Sequence, residues 1–354
     1  MITASISEKI LTIGPDPEGK GGMSSVLKYY RDSLFSTWNF IAESHVGGGK
    51  VSKLFDFFGA CVKLVNTLRL HPEIRVVHLH TAGKVSFPRS CVFMNLAKAM
   101  GRKVVMHIHS GMFHKYCEGR EDKIGAKLAK ADAVIALSEK WKGYYTGTLG
   151  LTNVCFVPNI VSAPPAGFSR EAGEADGVVH ALFLGNLVDD KGIYDLLKAI
   201  AKAKDRLAGK FVLHVGGKGD TARFESEIAR LGIDTLVKYE GWVSPEKKAE
   251  LLALSSVSIL PSYFEGLPIS LLEGMSYSHA VISTNVGGIP EILDPTNGVM
   301  HTPGDVEALS AAIVGLVGDR TRMREMGRMS YRKVECHLPE NVGRVLTDLY
   351  SGLI

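Results

Sequence analysis

The chain lacks several features that would assign a protein to a class at once. It has no run of about 18 apolar residues, so no membrane-spanning helix is expected. Its polar start, residues 1–9, has no apolar core of a secretion signal, which favours a cytoplasmic protein. Five cysteines without C-x-x-C spacing favour reduced, mostly buried thiols over a disulfide framework. No repeat or low-complexity tract is present.

What is present is an ordinary globular composition with an uneven charge. A length of 354 residues favours two domains. Residues 1–160 contain 21 Lys and Arg against 12 Asp and Glu, a net charge of +9, whereas 161–354 contain 20 against 25, a net of −5. A basic half is typical of proteins with an anionic partner, such as a membrane surface, a lipid-linked phosphate or nucleic acid. A solvated basic surface explains it equally well.

Short apolar runs alternate with segments of helical spacing, which predicts repeated β-α units with parallel sheets. The predicted strands are 10–14, 75–80, 103–109, 132–137, 153–157, 179–185, 211–216, 236–240, 256–260 and 280–283. The predicted helices are 22–34, 51–70, 87–100, 120–130, 139–149, 191–204, 221–231, 245–254 and 268–276. The fold class is α/β, with two doubly wound domains whose strand carboxyl ends surround one cleft.

The rhythm breaks at residues 161–177, a segment rich in Pro, Gly and Ala that we interpret as a linker. It separates a first domain, 1–160, from a second domain, 178–338. Helices are expected to dominate from residue 304 to the end.

Two glutamates, Glu265 and Glu273, lie eight positions apart in an otherwise apolar run. The apolar segment 256–261 before them is predicted as a short buried strand, so Glu265 is expected on the loop at its carboxyl end. Pro268 suits the first turn of the helix that follows. Glu273, one to two turns later, could accept hydrogen bonds from hydroxyls such as those of a ribose.

The start of that helix predicts an anion site. The amides of Leu267, Ile269 and Ser270 would point, with the positive end of the helix dipole, at an anion beside Glu265.

This run, continued by residues 280–291, resembles the E-x7-E block of the retaining GT-B glycosyltransferases of family 4. Residues 181–192 are similar to that family's strand and phosphate loop, with Lys191 in the expected place but Asn186 where the family has arginine. Weaker matches follow the family order over most of the chain. They are 131–139, 157–159, 215–220 and 239–243.

The resemblance implies two Rossmann-like domains that face a central cleft, with a last helix, 339–352, packed back on the first domain. It implies transfer of a hexosyl unit from a nucleoside diphosphate sugar to a hydroxyl acceptor, with retention and without a metal or cofactor. The expected context is surface polysaccharide or glycolipid synthesis, with a saccharide or lipid-linked acceptor and no nucleic acid. An anionic membrane surface, on the inner face of the membrane, is a further candidate partner of the basic domain.

By the same resemblance, Glu265 would lie beside the transferring sugar and His109 would contact a sugar hydroxyl. Glu273 would bind the ribose, and Val243 would pack against the base or act as an ordinary core valine. The implied donor-binding residues are Gly21, Gly22, Asn186, Lys191, Val243, Leu267, Ile269, Ser270 and Glu273.

The glycine cluster 19–23 follows the first strand and precedes a helix, where the backbone of Gly21 and Gly22 can approach a phosphate. It is not a G-x-G-x-x-G fingerprint, so dinucleotide binding is not indicated. A flexible loop is the alternative reading.

Two strands end in His-x-His, 78–80 and 107–109, and alternation places each pair on one side of its strand. Four histidines could bind zinc, but no spaced cysteine or acidic partner accompanies them. We therefore expect no metal and interpret His78 and His107 as hydrogen-bonded histidines, with His109 as the functional candidate.

Other functions stay open at this stage. Glu265 and Glu273 would also suit a glycosidase, which does not need a phosphate-binding lysine loop. A sugar-nucleotide epimerase on the same architecture, or a non-catalytic sugar-nucleotide binding subunit, would share most of these motifs.

Residues 50–70 form an apolar helix with phenylalanines at 55, 57 and 58 and basic residues at 50, 53, 63 and 69. The three rings cannot all point into one apolar stripe. Packing on the sheet is one interpretation, and contact with an anionic bilayer is the other.

Overall fold

A computed structural model describes residues 1–19, 21–43, 50–165, 168 and 177–354, with the backbone alone for 50–54. The chain divides into two compact units. The first contains residues 1–161 and 336–354, and the second contains 162–335. The predicted last helix, at Pro339–Ser351, therefore belongs to the first unit. Most of the predicted linker 161–177 lies outside the described residues.

The first unit contains a six-stranded parallel sheet in the order β2-β1-β3-β4-β5-β6. Its strands are β1 (Ile10–Gly14), β2 (Phe40–Ala42), β3 (Val76–Thr81), β4 (Lys103–Ile108), β5 (Ala133–Ala136) and β6 (Val154–Phe156). Its helices are α1 (Ala4–Ser7), α2 (Gly22–Tyr29), α3 (Lys50–Leu70), α4 (Ser86–Ala99), α5 (Phe113–Cys117), α6 (Glu121–Leu128) and α7 (Glu139–Gly147). A π-helical turn, Tyr30–Leu34, extends α2.

The second unit contains another six-stranded parallel sheet, in the order β12-β11-β10-β7-β8-β9. Its strands are β7 (Val179–Leu184), β8 (Phe211–Gly216), β9 (Val237–Gly241), β10 (Val257–Leu260), β11 (Ala280–Thr284) and β12 (Gly298–His301). Its helices are α8 (Ile193–Lys202), α9 (Lys204–Leu207), α10 (Thr221–Leu231), α11 (Pro245–Leu254), α12 (Ile269–Ser276), α13 (Ile289–Ile292), α14 (Val306–Gly318) and α15 (Arg320–Val334). The helix Pro339–Ser351 is α16.

Each sheet reverses its strand order once. In the second unit, β8 and β9 lie on one side of β7, whereas β10, β11 and β12 lie on the other. The loops after β7 and β10 therefore separate at a topological switch point, where ligands of doubly wound sheets bind. In the first unit, the corresponding point lies between β1 and β3. The prediction of two doubly wound α/β domains is confirmed.

The two sides of the first sheet differ in polarity. One side carries apolar residues such as Leu79 and Met106, which pack with Phe87 and Phe93 of α4 in a large buried cluster. The strand register aligns Thr12 with His78 and His80 with His107, so these polar residues share the opposite side. All four are buried.

The predicted helices and strands differ from the structure mainly at short elements. The edge strands β2 and β12 and the short helices α1, α5, α9 and α13 were not predicted. The cysteines form no disulfide, but only Cys91 and Cys117 are buried and Cys336 is exposed, so the expectation of mostly buried thiols is wrong. None of the helices in the described ranges combines the length and apolar character needed to cross a bilayer.

Gly192, in the loop after β7, packs against Pro261 in the loop after β10. Its φ of +68° is left-handed, and a Cβ there would lie 2.0 Å from the carbonyl oxygen of Pro261. Gly192→Ala is therefore expected to lower the free energy of unfolding by roughly 2–4 kcal/mol, from backbone strain and overpacking together. Urea denaturation followed by circular dichroism measures the change.

Gly209 supplies a matched control. Its φ is +69°, and no described heavy atom lies within 4 Å of its ideal Cβ. Gly209→Ala should therefore cost only about 1 kcal/mol, the cost of the left-handed backbone alone. Equal losses in the two variants would contradict close packing of Gly192 on Pro261.

Candidate functional site

A lysine and a glutamate meet at the switch point of the second sheet. Lys191 Nζ donates a hydrogen bond to Glu265 Oε1 at 2.6 Å, and Ser262 Oγ donates to the same oxygen at 2.7 Å. The Glu265 side chain is 9% exposed and that of Lys191 is 29% exposed. A carboxylate so far from water needs a compensating charge and hydrogen bonds, and both are provided here.

Backbone contacts hold the two loops in place. The Tyr263 amide donates to the Asp190 carbonyl at 2.9 Å, which ties the loop after β10 to the turn Asp189–Lys191. On the other side, the Gly288 amide donates to the Gly266 carbonyl at 2.6 Å. Gly287 lies so close that an added Cβ would be 2.1 Å from the Glu265 carbonyl oxygen. Glu265 is thus positioned by three loops of one sheet.

The second glutamate is tied to a different element. Helix α12 begins at Ile269, with Pro268 as its N-cap rather than in its first turn as predicted. Glu273 lies one turn into the helix and is buried, and Lys248 Nζ of α11 donates to its Oε1 at 2.5 Å. A buried carboxylate held by a cation on a separate helix has a fixed position.

The start of α12 provides polar groups for an anion. Ile269 and Ser270 are its first two residues, and amides at these positions have no intrahelical acceptor. Pro268 carries no side-chain acceptor that could cap them. Leu267 is buried just before the helix.

Asn186 is exposed on the loop after β7. The next amide, of Leu187, donates to the Lys218 carbonyl at 2.6 Å, so the loop after β8 lies alongside. Lys218 Nζ is 5.0 Å from the ring centroid of Trp242. The neighbouring loop thus carries a lysine, whereas Asn186 carries no charge.

Val243 packs as a partly buried core residue. Its Cγ1 would lie 3.2 Å from a Cβ placed on Gly216, and it adjoins the apolar cluster of Leu182, Leu251 and Tyr277. This agrees with the core reading of Val243, and contact with a base stays a prediction.

Gly21 and Gly22 lie at the start of α2 in the first unit. Gly21 is the N-cap with a φ of +135°, which favours glycine, and Gly22 is the first helical residue. No described atom lies within 4 Å of an ideal Cβ on either residue. Lys20 lies outside the described residues. Among the described residues, nothing covers the Cβ side of Gly21 or Gly22.

His109 is half-buried, and its Nε2 lies 2.9 Å from Nδ1 of His80. Burial lowers its pKa to about 3, so His109 is a neutral imidazole near pH 7. With Nε2 engaged, Nδ1 is the ring nitrogen that could contact a sugar hydroxyl.

His78 and His107 differ in their hydrogen bonding. His78 Nδ1 is hydrogen-bonded to Tyr350 Oη at 2.7 Å, as predicted. Neither ring nitrogen of His107 has a hydrogen-bond partner among the described residues, so the prediction of a hydrogen-bonded histidine is wrong there. His107 is the penultimate residue of β4 and lies opposite His80, in a layer of imidazoles.

Sequence reasoning missed Ser262, Lys248 and Lys218. Ser262 precedes Glu265 by three residues, a spacing that could have marked it. Lys248 is 25 positions from Glu273. No local pattern links Lys248 to Glu273 or Lys218 to Asn186, because sheet order creates both proximities.

The arrangement suits a ligand that has both an anionic and a hydroxylated part. Lys191 and the start of α12, both in the second unit, can bind phosphate oxygens. Glu265 and Glu273 can accept hydrogen bonds from hydroxyl groups.

The amino-acid sequence is similar to those of known glycosyltransferases. Residues 168–333 match the family model described as glycosyl transferases group 1. The chain is 29% identical over 169 residues to the MMP alpha-(1->4)-mannosyltransferase of Mycolicibacterium hassiacum, which covers 46% of this chain and 40% of that protein. It is 30% identical over 162 residues to the lipopolysaccharide 1,6-galactosyltransferase of Salmonella typhimurium, covering 44% of this chain and 42% of that protein. The chain thus aligns with less than half the length of these relatives.

Solved structures match over nearly the whole chain. A sucrose-phosphate synthase from Thermosynechococcus elongatus has a TM-score of 0.77 at 18% identity, covering 98% of this chain and 99% of that one. The Anabaena protein HepE, solved in complex with UDP, has a TM-score of 0.73 at 17% identity, covering 98% and 100%. The chain therefore has the two-domain GT-B fold, and its second unit is similar in sequence to group 1 glycosyltransferases.

Proposed function

We propose that the chain is a retaining glycosyltransferase of the family 4, E-x7-E type. It moves a hexosyl unit from a nucleoside diphosphate sugar to a hydroxyl acceptor in surface polysaccharide or glycolipid synthesis, without a catalytic metal. The observation that carries the proposal is the Lys191–Glu265–Ser262 contact at the switch point of the second sheet. Similarity to glycosyltransferases and the UDP complex of a protein with the same fold support it.

The proposed roles follow from charge: cationic and amide groups bind the anionic diphosphate, and the glutamates bind neutral hydroxyl groups. As the bond between the anomeric carbon and the diphosphate breaks, negative charge grows on the leaving oxygen. Lys191, the amides at the start of α12 and the backbone at Gly21 and Gly22 stabilise that charge. The acceptor oxygen bonds to the anomeric carbon on the face that the diphosphate leaves, and its proton passes to the departing diphosphate oxygen.

The two glutamates act on neutral hydroxyl groups. Glu265 accepts a hydrogen bond from the transferring sugar beside Lys191, and His109 contacts another sugar hydroxyl. Glu273, fixed by Lys248, accepts from the ribose. Val243 packs against the base.

The first test is binding. Nucleoside diphosphate sugars bound to the native state should raise its melting temperature in a thermal-shift screen of UDP-, GDP- and ADP-sugars. Glu273→Ala should weaken nucleotide binding roughly tenfold, because the ribose loses its acceptor. Glu250→Ala is the control, since Glu250 is exposed on α11 and paired with Lys247. Wild-type affinity in Glu273→Ala would remove Glu273 from the ribose site.

The second test is turnover. Glu265→Gln and His109→Ala should each lower the rate of glycosyl transfer by roughly tenfold or more with nucleoside diphosphate affinity nearly unchanged, because both act on the sugar. Glu291→Gln, at an exposed glutamate, is the control. A free, epimerised sugar without a transfer product would favour an epimerase. No transfer and no donor hydrolysis by the wild type would favour a non-catalytic binding subunit.

We further propose that α3 docks the enzyme on an anionic bilayer, so that the acceptor is lipid-linked. Phe57 packs against Phe93 with ring centroids 5.3 Å apart, whereas Phe55 and Phe58 are 73% and 57% exposed. With Val62, 61% exposed, they form a stripe at i, i+3 and i+7.

Basic side chains accompany the stripe. Lys63 and Arg69 are exposed on the same helix, and Lys50 and Lys53 have side chains outside the described set. Aromatic residues beside basic ones suit the interface of anionic lipids, where each cation near the surface contributes about 1 kcal/mol.

Phe55→Ser with Phe58→Ser should therefore abolish sedimentation with anionic liposomes, and Lys63→Glu should weaken it. High salt should release the wild type, because screening weakens the attraction. Val345→Ser, at an exposed valine of α16, is the control. Salt-insensitive absence of the wild type from both anionic and neutral liposomes would leave a soluble acceptor.

A further inference from the structure

The polar side of the first sheet holds a group of buried side chains that donor binding does not use. His78, His80 and His107 lie on neighbouring strands, and each is at most 1% exposed. Each offers a ring nitrogen, and these atoms all lie within 4.8 Å of one another. Ring centroids are 4.3 Å apart for His78 and His80, 4.9 Å for His80 and His107, and 5.3 Å for His78 and His107.

The hydrogen bonds of two of these histidines leave the same atom unengaged. His78 uses Nδ1 toward Tyr350, and His80 uses Nδ1 toward His109. Nε2 of both, and both nitrogens of His107, have no partner in the described part of the chain. Metal-binding histidines typically engage the other ring nitrogen in a hydrogen bond, which fixes the tautomer and the ring orientation.

The ring of a fourth buried residue, Tyr30, lies near all three histidines. Tyr30 is fully buried, its hydroxyl has no partner within the described ranges, and its ring lies edge-on to His80 with centroids 5.4 Å apart. It begins the π-helical turn Tyr30–Leu34, and such turns occur frequently at functional sites.

From this geometry we infer a binding site for a divalent transition metal of the zinc type, with ligands from His78 Nε2, His80 Nε2, a ring nitrogen of His107 and the oxygen of Tyr30. Three imidazoles on one metal at about 2.0–2.1 Å place their ring centroids roughly 5 Å apart, close to the spacing here. Nitrogen ligands favour zinc, copper or nickel over magnesium or calcium. Modest rotation about the His side-chain torsions, which are broad, completes the tetrahedron.

The chemistry of the cluster fits such an ion. Burial, with nearby histidines, lowers the pKa of all three imidazoles, so they are neutral and ready to bind a metal near pH 7. The site joins β3 and β4 to the end of α2, which makes its role structural.

The ion would also fix the tautomer of His80. With Nε2 on the metal, Nδ1–H of His80 donates to Nε2 of His109, and His109 then carries its proton on Nδ1. This consequence rests on the proposed function, because only there does His109 contact a sugar hydroxyl. Metal binding itself is measured without any transfer reaction, so the two proposals fail independently.

Untagged, full-length protein dialysed into metal-free buffer and then loaded with Zn²⁺ should retain about one equivalent by mass spectrometry of the metal. Zn²⁺ should raise the melting temperature, and a chelator should reverse the rise. Co²⁺ in place of Zn²⁺ should give the strong visible absorption of a tetrahedral site.

His80→Gln and His107→Gln should each lose most of the bound zinc, and Tyr30→Phe should weaken binding roughly tenfold. His71→Gln, at an exposed histidine of the same unit, should keep the full equivalent. Zinc retained by both ligand variants, or no thermal shift and no cobalt spectrum for the wild type, would overturn the proposal. If the variants do not fold by circular dichroism, the wild-type cobalt spectrum decides.

Discussion

The loops of the candidate site in the second unit are organised by the compensation of one largely buried carboxylate, that of Glu265. Its charge is balanced by a lysine from a different loop, and breaking such a pair leaves an uncompensated buried charge. The pair therefore constrains where the loops after β7 and β10 can lie. Because the ammonium group has three donors and one is directed at Glu265, up to two can reach phosphate oxygens. The Lys191–Glu265 contact can thus persist while Lys191 binds a diphosphate in the role that we propose for it.

The two glutamates of the motif are held by different parts of the chain. Glu265 is fixed by its own loop and by the turn at Lys191, whereas Glu273 is fixed by α11 through Lys248. A displacement of α11 would therefore move Glu273, for which we propose a role at the ribose, and leave Glu265, for which we propose a role at the sugar, in place. Separate supports of this kind allow binding and turnover to be changed independently by mutation.

The sequence predicted what depends on periodicity and local spacing. The longer strands and helices were found within a few residues, since each carries several apolar positions in register. The edge strands β2 and β12, of three and four residues, carry too short a pattern. Lys248 and Lys218 could not be predicted as site residues, because only the order of strands in the sheet brings them beside Glu273 and Asn186.

For the histidine layer, the local sequence pattern predicted which side of the strand the residues occupy but not that this side is buried. Alternation correctly places His78 and His80 on one side of β3, a pattern that also fits a strand with one solvated side. The register between β3 and β4 then places His107 on the same side, which alternation alone does not predict. That side is instead closed by α2 and by Tyr350 of α16, which the chain supplies 272 residues after His78. Each buried polar atom without a partner costs about 1–3 kcal/mol. An ion bound among them, as we propose, would recover part of that free energy.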